Sequence, residues 1–320
     1  MSARVVVFGE SLVDLMGTPD GRTFRAEPGG SPANVAVGLG RLGVPTTLVT
    51  GLGDDAFGRL VEARLTSSAV TLDVQPAPFT GVAVVSLDAA GVPSYDFALS
   101  WEPLAPVLPG DARVLHTGSV TAGAPPGGRV VEAAIAAARP DSMVTYDPNI
   151  RPALLGDRDS ERRRVERQVA LSDVVKASEE DLAWLYPGAD PVRTARAWQE
   201  SGPALVVLTR GAEGCAAVTH DGVTARAALT VRVADTVGAG DAFMSGLLWG
   251  LAAAGLLDPA RRDALRGARP EDLDEPLARA STAAAITCTR AGSDPPTVAE
   301  LEEHRTNARR GSGTGPVQSG

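Results

Sequence analysis

The chain has 320 residues, 30 basic against 39 acidic side chains and a formal net charge of −9, with 44% apolar and 22% charged residues. That length buries a large core, and the composition excludes disordered and collagen-like chains. Two cysteines, Cys215 and Cys288, cannot build a disulfide framework, three histidines leave no Cys/His cluster for zinc, and the acidic balance argues against nucleic acid as a partner.

Arg4 to Gly9 is a short β-branched run, as a buried strand should look. Asn34 to Gly43 has helical spacing, with Val35, Val37, Leu39 and Leu42 apolar. Thr46 to Thr50 follows as a strand, then a turn at Gly51-Leu52-Gly53-Asp54 and a helix near Asp55 to Leu65. The alternation recurs further on. Arg113 to Thr117, Met143 to Tyr146, Asp173 to Lys176 and Ala204 to Thr209 read as strands. Gly128 to Arg139, Asp159 to Leu171, Glu179 to Leu185 and Val192 to Glu200 read as the helices between them. Such alternation predicts an α/β fold, a three-layer α/β/α sandwich on a mostly parallel central sheet.

Two segments break the pattern. Ser11 to Glu27 and Gly81 to Phe97 carry strand and turn signals with no helix between. In the second, Val82, Val84 and Ser86 followed by Asp88-Ala89-Ala90-Gly91 resemble a hairpin. Insertions of this kind, about 11–27 and 80–101, predict a small β-lid on a single domain spanning 1–305. Residues 306–320 read as a disordered tail. Arg162-Arg163-Arg164, flanked by Glu161 and Glu166, reads as the solvated face of a helix. The longest apolar and glycine run, Gly246 to Leu257, is well short of the roughly 20 residues that span a bilayer. Met1-Ser2-Ala3-Arg4 lacks the shape of a signal peptide, so the expectation is a cytoplasmic protein that does not engage a membrane.

One count is unusual: Lys176 is the only lysine, and the other 29 basic residues are arginine. A P-loop needs lysine directly after glycine, and Lys176 follows Val175. The strand lysine of protein kinases needs a glycine-rich loop upstream, which is missing too.

The strongest motif is Asp235-Thr236-Val237-Gly238-Ala239-Gly240-Asp241, running into the helix Met244 to Ala254. Gly238 and Gly240 let backbone N–H groups converge at a helix N-terminus, a geometry that holds phosphate. Asp241 at the mouth of that helix is placed to take a proton from a hydroxyl attacking the held phosphoryl group. A glycine-rich loop with an aspartate cap has the same letters. The second motif, Pro28-Gly29-Gly30-Ser31-Pro32-Ala33-Asn34, enters a helix; its glycines admit a ligand close to the backbone, and Asn34 offers both donor and acceptor to hydroxyls. Gly38-x-Gly40-x-x-Gly43 matches a dinucleotide fingerprint but precedes a strand instead of following one, which rejects it.

These stretches resemble the ribokinase-like, or PfkB, carbohydrate kinases, and bacterial fructokinase-type members in particular. Gly29-Gly30-x-x-x-Asn34 resembles the family's N-terminal signature and Asp235-Thr236-x-Gly238-Ala239-Gly240-Asp241 its C-terminal one. Gly9-Glu10-Ser11-Leu12-Val13-Asp14, Gly51-Leu52-Gly53-Asp54-Asp55-x-Phe57-Gly58 and Asp147-Pro148-Asn149-x-Arg151 also match, in the right order, and the likeness covers about Val5 to Ala299. It implies phosphoryl transfer from ATP, with Mg²⁺ and a site for K⁺, to a sugar's primary hydroxyl. Asp241 would be the catalytic base, with Gly238, Ala239 and Gly240 as the anion hole. Asp14, Gly29, Gly30 and Asn34 would hold sugar hydroxyls, and Arg151 would reach the sugar or the transferring phosphoryl. Thr209-Arg210-Gly211-Ala212-Glu213-Gly214 resembles the nucleotide-binding turn, with Thr209, Gly211 and Gly214 its contributors, although a plain hairpin turn has this composition.

Departures mark two places. Where the family often has Asn-x-x-Glu, this chain has Ser178-Glu179-Glu180-Asp181, so Asp181 would meet Mg²⁺ through water, with Ser178 and Lys176 near the nucleotide; a solvated strand end is the other reading of Lys176. A monovalent cation beside Asp235, Thr236 and Ala291-Gly292-Ser293 is implied by the resemblance alone. In the lid, Tyr95, Phe97 and Trp101 would either shape the sugar pocket or form the lid's apolar face. Fructokinase is the leading expectation. 2-Keto-3-deoxygluconate kinase is the alternative, because its substrate carboxylate would want an arginine such as Arg151. Ribokinase or nucleoside kinase comes next, and a non-catalytic sugar or nucleotide sensor is the reading outside enzymes. The resemblance also implies pairing of two copies through the lid.

Overall fold

Strand β1 (Arg4–Phe8) sends Val5 and Val7 into one hydrophobic core and Val6 and Phe8 into another. The period of two along a strand does this whenever both faces of a sheet are covered. A computed structural model of the chain describes residues 4–18, 22–87, 93–123 and 125–311.

After β1 come β2 (Leu12–Gly17), β3 (Phe24–Gly29) and helix α1 (Ser31–Arg41). Next are β4 (Thr46–Leu52), α2 (Ala56–Ser67), β5 (Val70–Pro76), β6 (Gly81–Leu87), β7 (Pro93–Ala98) and β8 (Ala112–Gly118). The short α3 (Ser119–Gly123) leads to α4 (Gly127–Ala138), β9 (Met143–Asp147), α5 (Arg158–Ala170), β10 (Val174–Ser178) and α6 (Glu179–Leu185). Then follow α7 (Pro191–Ser201), β11 (Leu205–Thr209), β12 (Cys215–Thr219), β13 (Gly222–Arg226) and α8 (Ala239–Ala253). The chain ends with α9 (Arg262–Arg266), α10 (Asp274–Cys288) and α11 (Val298–Gly311).

Nine strands form one sheet in the order β13-β12-β11-β10-β9-β8-β1-β4-β5. Every neighbouring pair from β11 to β5 is parallel, and only β12 runs against the rest, paired antiparallel with β11 on one side and β13 on the other. One core packs β1, β4 and β11 against α1, α2, α8 and α10; the other packs the opposite face against α4, α5, α6 and α7. This is the three-layer α/β/α sandwich.

The second sheet, β3-β2-β6-β7, is separate and small. It occupies the two segments that lacked helices. β6 and β7 pair antiparallel as the hairpin expected there, with the turn Asp88 to Gly91 outside the described residues. The rejected fingerprint sits inside α1, where Gly38 packs on Ser245 of α8.

Two expectations change. α11 continues to Gly311, past the residue 306 where the tail was expected, and residues 312–320 lie outside those described. Arg164 is not solvated: it is 8% exposed, with Nε on Glu161 at 2.9 Å and Nη1 on the Gln168 and Ala122 oxygens. Glu161 neutralises it one turn earlier, which lets α5 bury that arginine while Arg162 and Arg163 face outward. Among the described residues, no helix is long and apolar enough to cross a membrane.

Candidate active site

Helix α8 begins at Gly238, whose φ of 73° lies in the left-handed region. A Cβ there would stand 2.1 Å from the Ser293 hydroxyl, so this position has no room for a side chain. Gly238 is the N-cap, and it makes no side-chain cap. Asp241 falls in the first turn instead, which removes the reading of it as a simple cap. The amides opening α8 point out of the helix end, where an anion is favoured by both hydrogen bonds and the helix dipole.

The Asp241 side chain reaches across to α1. Its Oδ1 accepts from Ser31 Oγ at 2.6 Å and its Oδ2 from Asn34 Nδ2 at 2.9 Å. Ser31 follows Gly30, whose φ of 97° turns the chain sharply into α1. Two helix N-termini therefore meet at one carboxylate. Burial raises the Asp241 pKa to about 6, against the pull of Ser31, Asn34 and the Lys176 charge. A carboxylate that is ionised at neutral pH, yet more basic than usual, suits a general base.

Lys176 lies directly beneath this turn. It is 4% exposed, and a Cβ on Gly240 would come within 3.1 Å of its Nζ. The solvated strand end considered for it is therefore excluded. Nζ donates to Asp147 Oδ2 at 2.8 Å, and Asp147 is itself 1% exposed. Burial alone would lower the ammonium's pKa. The carboxylates of Asp147, Asp181 and Asp241 outweigh that effect and hold its pKa above the ordinary lysine value. The second oxygen of Asp147, Oδ1, is buried without a hydrogen-bond partner. Asp147 ends β9 and Ser178 ends β10, so these groups gather at the carboxyl ends of parallel strands, where open α/β sheets bind ligands.

Asp181 is engaged otherwise than expected. Its Oδ1 accepts from the Ile150 amide at 2.7 Å, and its Oδ2 accepts from the Ser178 amide and hydroxyl at 2.8 Å each. The Asp181 amide in turn donates to Ser178 Oγ at 3.0 Å, completing a capping box that starts α6. Burial and the Asp147 charge push the Asp181 carboxyl up, with Lys176 opposing. Serine and aspartate are short enough to close this box, so both Asp181 oxygens already accept hydrogen bonds within the protein.

Asp14 on β2 lies against Gly29 of β3, where a Cβ would be 2.2 Å from its Oδ2. Burial raises its pKa to about 6, with the charges of Arg151 and Arg64 pulling it down and Glu27 pushing it up. Arg151 is exposed and donates to the Asn149 and Ile150 carbonyls of its own turn. Its charge is felt at Asp14, so Asp14, Gly29, Gly30 and Arg151 are grouped on the small-sheet side of Asp241.

Asp235 stitches two loops together: Oδ1 accepts from the Val237 amide at 3.0 Å and Oδ2 from the Gly292 amide at 2.8 Å. Thr236 is exposed, and its carbonyl accepts from the Ala239 amide. Beside them the buried Ser293 Oγ has no partner.

Residues 2–299 match the family described as pfkB family carbohydrate kinase. The chain belongs to this family. It is 36% identical over 306 residues to a fructokinase of Klebsiella pneumoniae, covering 92% of this chain and 95% of that one. Its fold matches the fructokinase of Xylella fastidiosa, solved with bound ATP, at a TM-score of 0.85 and 27% identity, over 97% of this chain and 100% of the other. A double mutant of the Vibrio cholerae O395 fructokinase, solved with fructose, ADP and potassium ion bound, matches at a TM-score of 0.81 and 29% identity, over 94% and 98%.

As a pfkB carbohydrate kinase, the chain is a phosphotransferase that uses a sugar alcohol group as acceptor. Thr209 at the end of β11, a 3₁₀ turn over Gly211–Glu213, and Gly214 together join β11 to antiparallel β12, so the stretch expected to border the nucleotide is a hairpin connection. Phe97 of β7 is half-buried opposite Ala83 of β6, and the Tyr95 side chain lies outside those described. Trp101 packs on Gly51 of β4 and edge-on against Phe8, with Nε1 donating to Gln75, and lines a cavity with Gly81 and Leu99. Sequence reasoning missed Ser31, Asp147 as the partner of Lys176, and Arg64. A hydroxyl on the first helical residue after two glycines was the one available signal, and it pointed to Ser31.

Proposed function

We propose that this pfkB kinase is an ATP-dependent fructokinase, transferring the terminal phosphoryl of ATP to a primary hydroxyl of fructose. One observation carries the reading: the buried Asp241 carboxylate, with a pKa near 6, stands in the first turn of a helix whose N-terminus favours anions. The fructokinases among its relatives support the choice of sugar.

Asp241 takes the proton from the hydroxyl while Ser31 and Asn34 fix the carboxylate's orientation. The sugar oxygen then attacks in line, and the amides of Gly238, Ala239 and Gly240 meet the charge of the transferring group. Lys176 adds fixed positive charge beneath them. Asp14, Gly29, Gly30 and Asn34 hold the remaining hydroxyls, and Phe97 and Tyr95 sit on the lid sheet over them. Ser178, Thr209, Gly211 and Gly214 border the nucleotide.

A magnesium ion bound here would supply positive charge to offset the negative charge of the nucleotide's phosphates. The unpartnered Asp147 Oδ1 fits that hard cation, directly or through water, better than the engaged Asp181 does. The unpartnered Ser293 Oγ, with the backbone around Asp235 and Thr236, likewise fits a monovalent cation such as potassium. In this reading residues 1–305 act as one cytoplasmic kinase domain. The free edges of the small sheet, β3 and β7, are where two copies would pair.

Arg151 favours a second reading. It bonds only backbone carbonyls of its own turn and lends its charge to the sugar side, where it can take a substrate carboxylate, as in 2-keto-3-deoxygluconate. A coupled assay for ADP release, with MgATP and fructose, 2-keto-3-deoxygluconate, ribose or adenosine, separates the two. Fructose is expected to turn over fastest, and Asp241→Asn to lower that rate by about 10²–10⁴-fold. Fastest turnover of the keto acid would shift the assignment to the second reading. Ligand binding without ADP formation from any acceptor would leave a sensor.

A further inference from the structure

Arg64 reaches from α2 into the seam between the small sheet and the start of α8. Its Nη1 donates to the Pro28 carbonyl at 3.2 Å, and its Nη2 donates to the Ser293 carbonyl. Pro28 directly precedes Gly29, Gly30 and the helix that carries Ser31 and Asn34. Ser293 packs against Gly238, the N-cap of α8. One guanidinium therefore joins the backbone of the sugar side, 36 residues before it, to the backbone of the phosphate and cation side, 229 residues after it.

The charges around it suit a strut. Burial and the neighbouring Arg41 push the Arg64 pKa down, while Asp294, Glu27 and Asp14 hold it up. An arginine stays protonated under such pressure, and its planar fork satisfies two separate acceptors at once. Arg41 in turn bonds Asp294 and the Pro295 carbonyl, so the loop beside Ser293 is pinned from two helices.

We propose that Arg64 is a positioning residue that couples the two halves of the site, so that filling the nucleotide and cation end orders the sugar end. The proposal rests on the kinase reading above. Binding that immobilises Ser293 fixes the Arg64 guanidinium, and this restrains Pro28 and the two glycines after it. Coupling between distant sites through such an element commonly amounts to 5–150-fold in affinity.

The test is hydrogen exchange with ADP, Mg²⁺ and K⁺ added to wild type, Arg64→Met and Arg64→Lys. In wild type, the amides of residues 24–31 are expected to slow by about tenfold along with those of Ala239 to Asp241. In Arg64→Met, the α8 amides still slow while residues 24–31 change less than about twofold. Arg64→Lys, which can reach one carbonyl at a time, is expected to fall between them and decides the matter should the methionine variant unfold. Undiminished protection of residues 24–31 in folded variants would overturn the proposal. So would faster exchange everywhere with the ligand-induced ratio unchanged, the mark of a merely structural arginine. Nucleotide that protects no part of the wild-type chain would instead sink the kinase reading, and this inference with it.

Discussion

Ser31 donates its hydroxyl to Asp241 Oδ1 at 2.6 Å, joining the first residue of α1 to the first turn of α8. The contact depends on how the two helices pack in the larger core, where Gly38 admits Ser245 at close range. The orientation of the base is therefore set by the same apolar interface that holds the layer together. The Asp241 carboxylate is thus positioned by the packing of two helices.

Ser31→Ala should shift the acid limb of the kcat profile upward. The Ser31 bond stabilises the ionised carboxylate, so its loss lets burial dominate and raises the Asp241 pKa above about 6. A bond to a charged group is worth about 1.5–3 kcal/mol, which corresponds to a movement of about one to two units. Measuring kcat from pH 5 to 9 checks this. An unmoved limb would mean that the hydroxyl does not bond the base in solution.

Asp241 should also make the fold less stable as pH rises. Its pKa goes from 3.8 in an ordinary setting to about 6 here, so between about pH 4 and 6 the native state binds more protons than the unfolded chain. Stability then falls through that window, by up to about 3 kcal/mol from this residue. Asp14, also raised to about 6, acts in the same direction. Asp241→Asn should accordingly gain stability over wild type at pH 7 and lose most of the advantage at pH 4. Urea unfolding at both values reads the difference, and an advantage independent of pH would contradict the assignment.

Gly238→Ala tests the anion turn. Alanine at φ 73° costs about 1–2 kcal/mol, and its Cβ would press on the Ser293 hydroxyl. The variant should lose nucleotide affinity and any activation by potassium together. Adding Ser293→Gly should relieve most of the steric part, with the residue 293 Cα still 2.9 Å from the new Cβ, and leave the backbone cost. Full recovery in the double variant would show that the left-handed turn is not needed.

The frame was legible where strands are buried on both faces. β1, β4, β9, β10 and β11 are short apolar runs, and the helices between them have clear periodicity. β5 was not, because its edge position leaves Thr71, Asp73 and Gln75 in a polar alternation. β12, β13 and α10 are rich in alanine and threonine, which signal neither period strongly. Asp241, Gly238, Asn34 and Asp14 could be read because their neighbours form a local pattern. Ser31 touches Asp241 across 210 residues, and Arg64 reaches Ser293 across 229. Contacts that long exist only once the layers have packed.

The last prediction concerns the single lysine. The Lys176–Asp147 pair is buried, with side chains 5% and 1% exposed. Lys176→Met leaves Asp147 without its cation, in the company of the Asp181 and Asp241 carboxylates. Breaking a buried pair in this way costs about 3–5 kcal/mol. Asp147→Asn is the milder change, because the ammonium keeps Asp181 and Asp241 nearby to balance it. The two single variants should therefore differ by more than about 1 kcal/mol in urea unfolding at pH 7, the lysine variant being the weaker. Lys176→Met should also raise the Asp241 pKa, since the lysine charge is one of the forces holding it down. Equal costs for the two variants, or an acid limb unmoved in Lys176→Met, would show that the lysine charge does not act on the base.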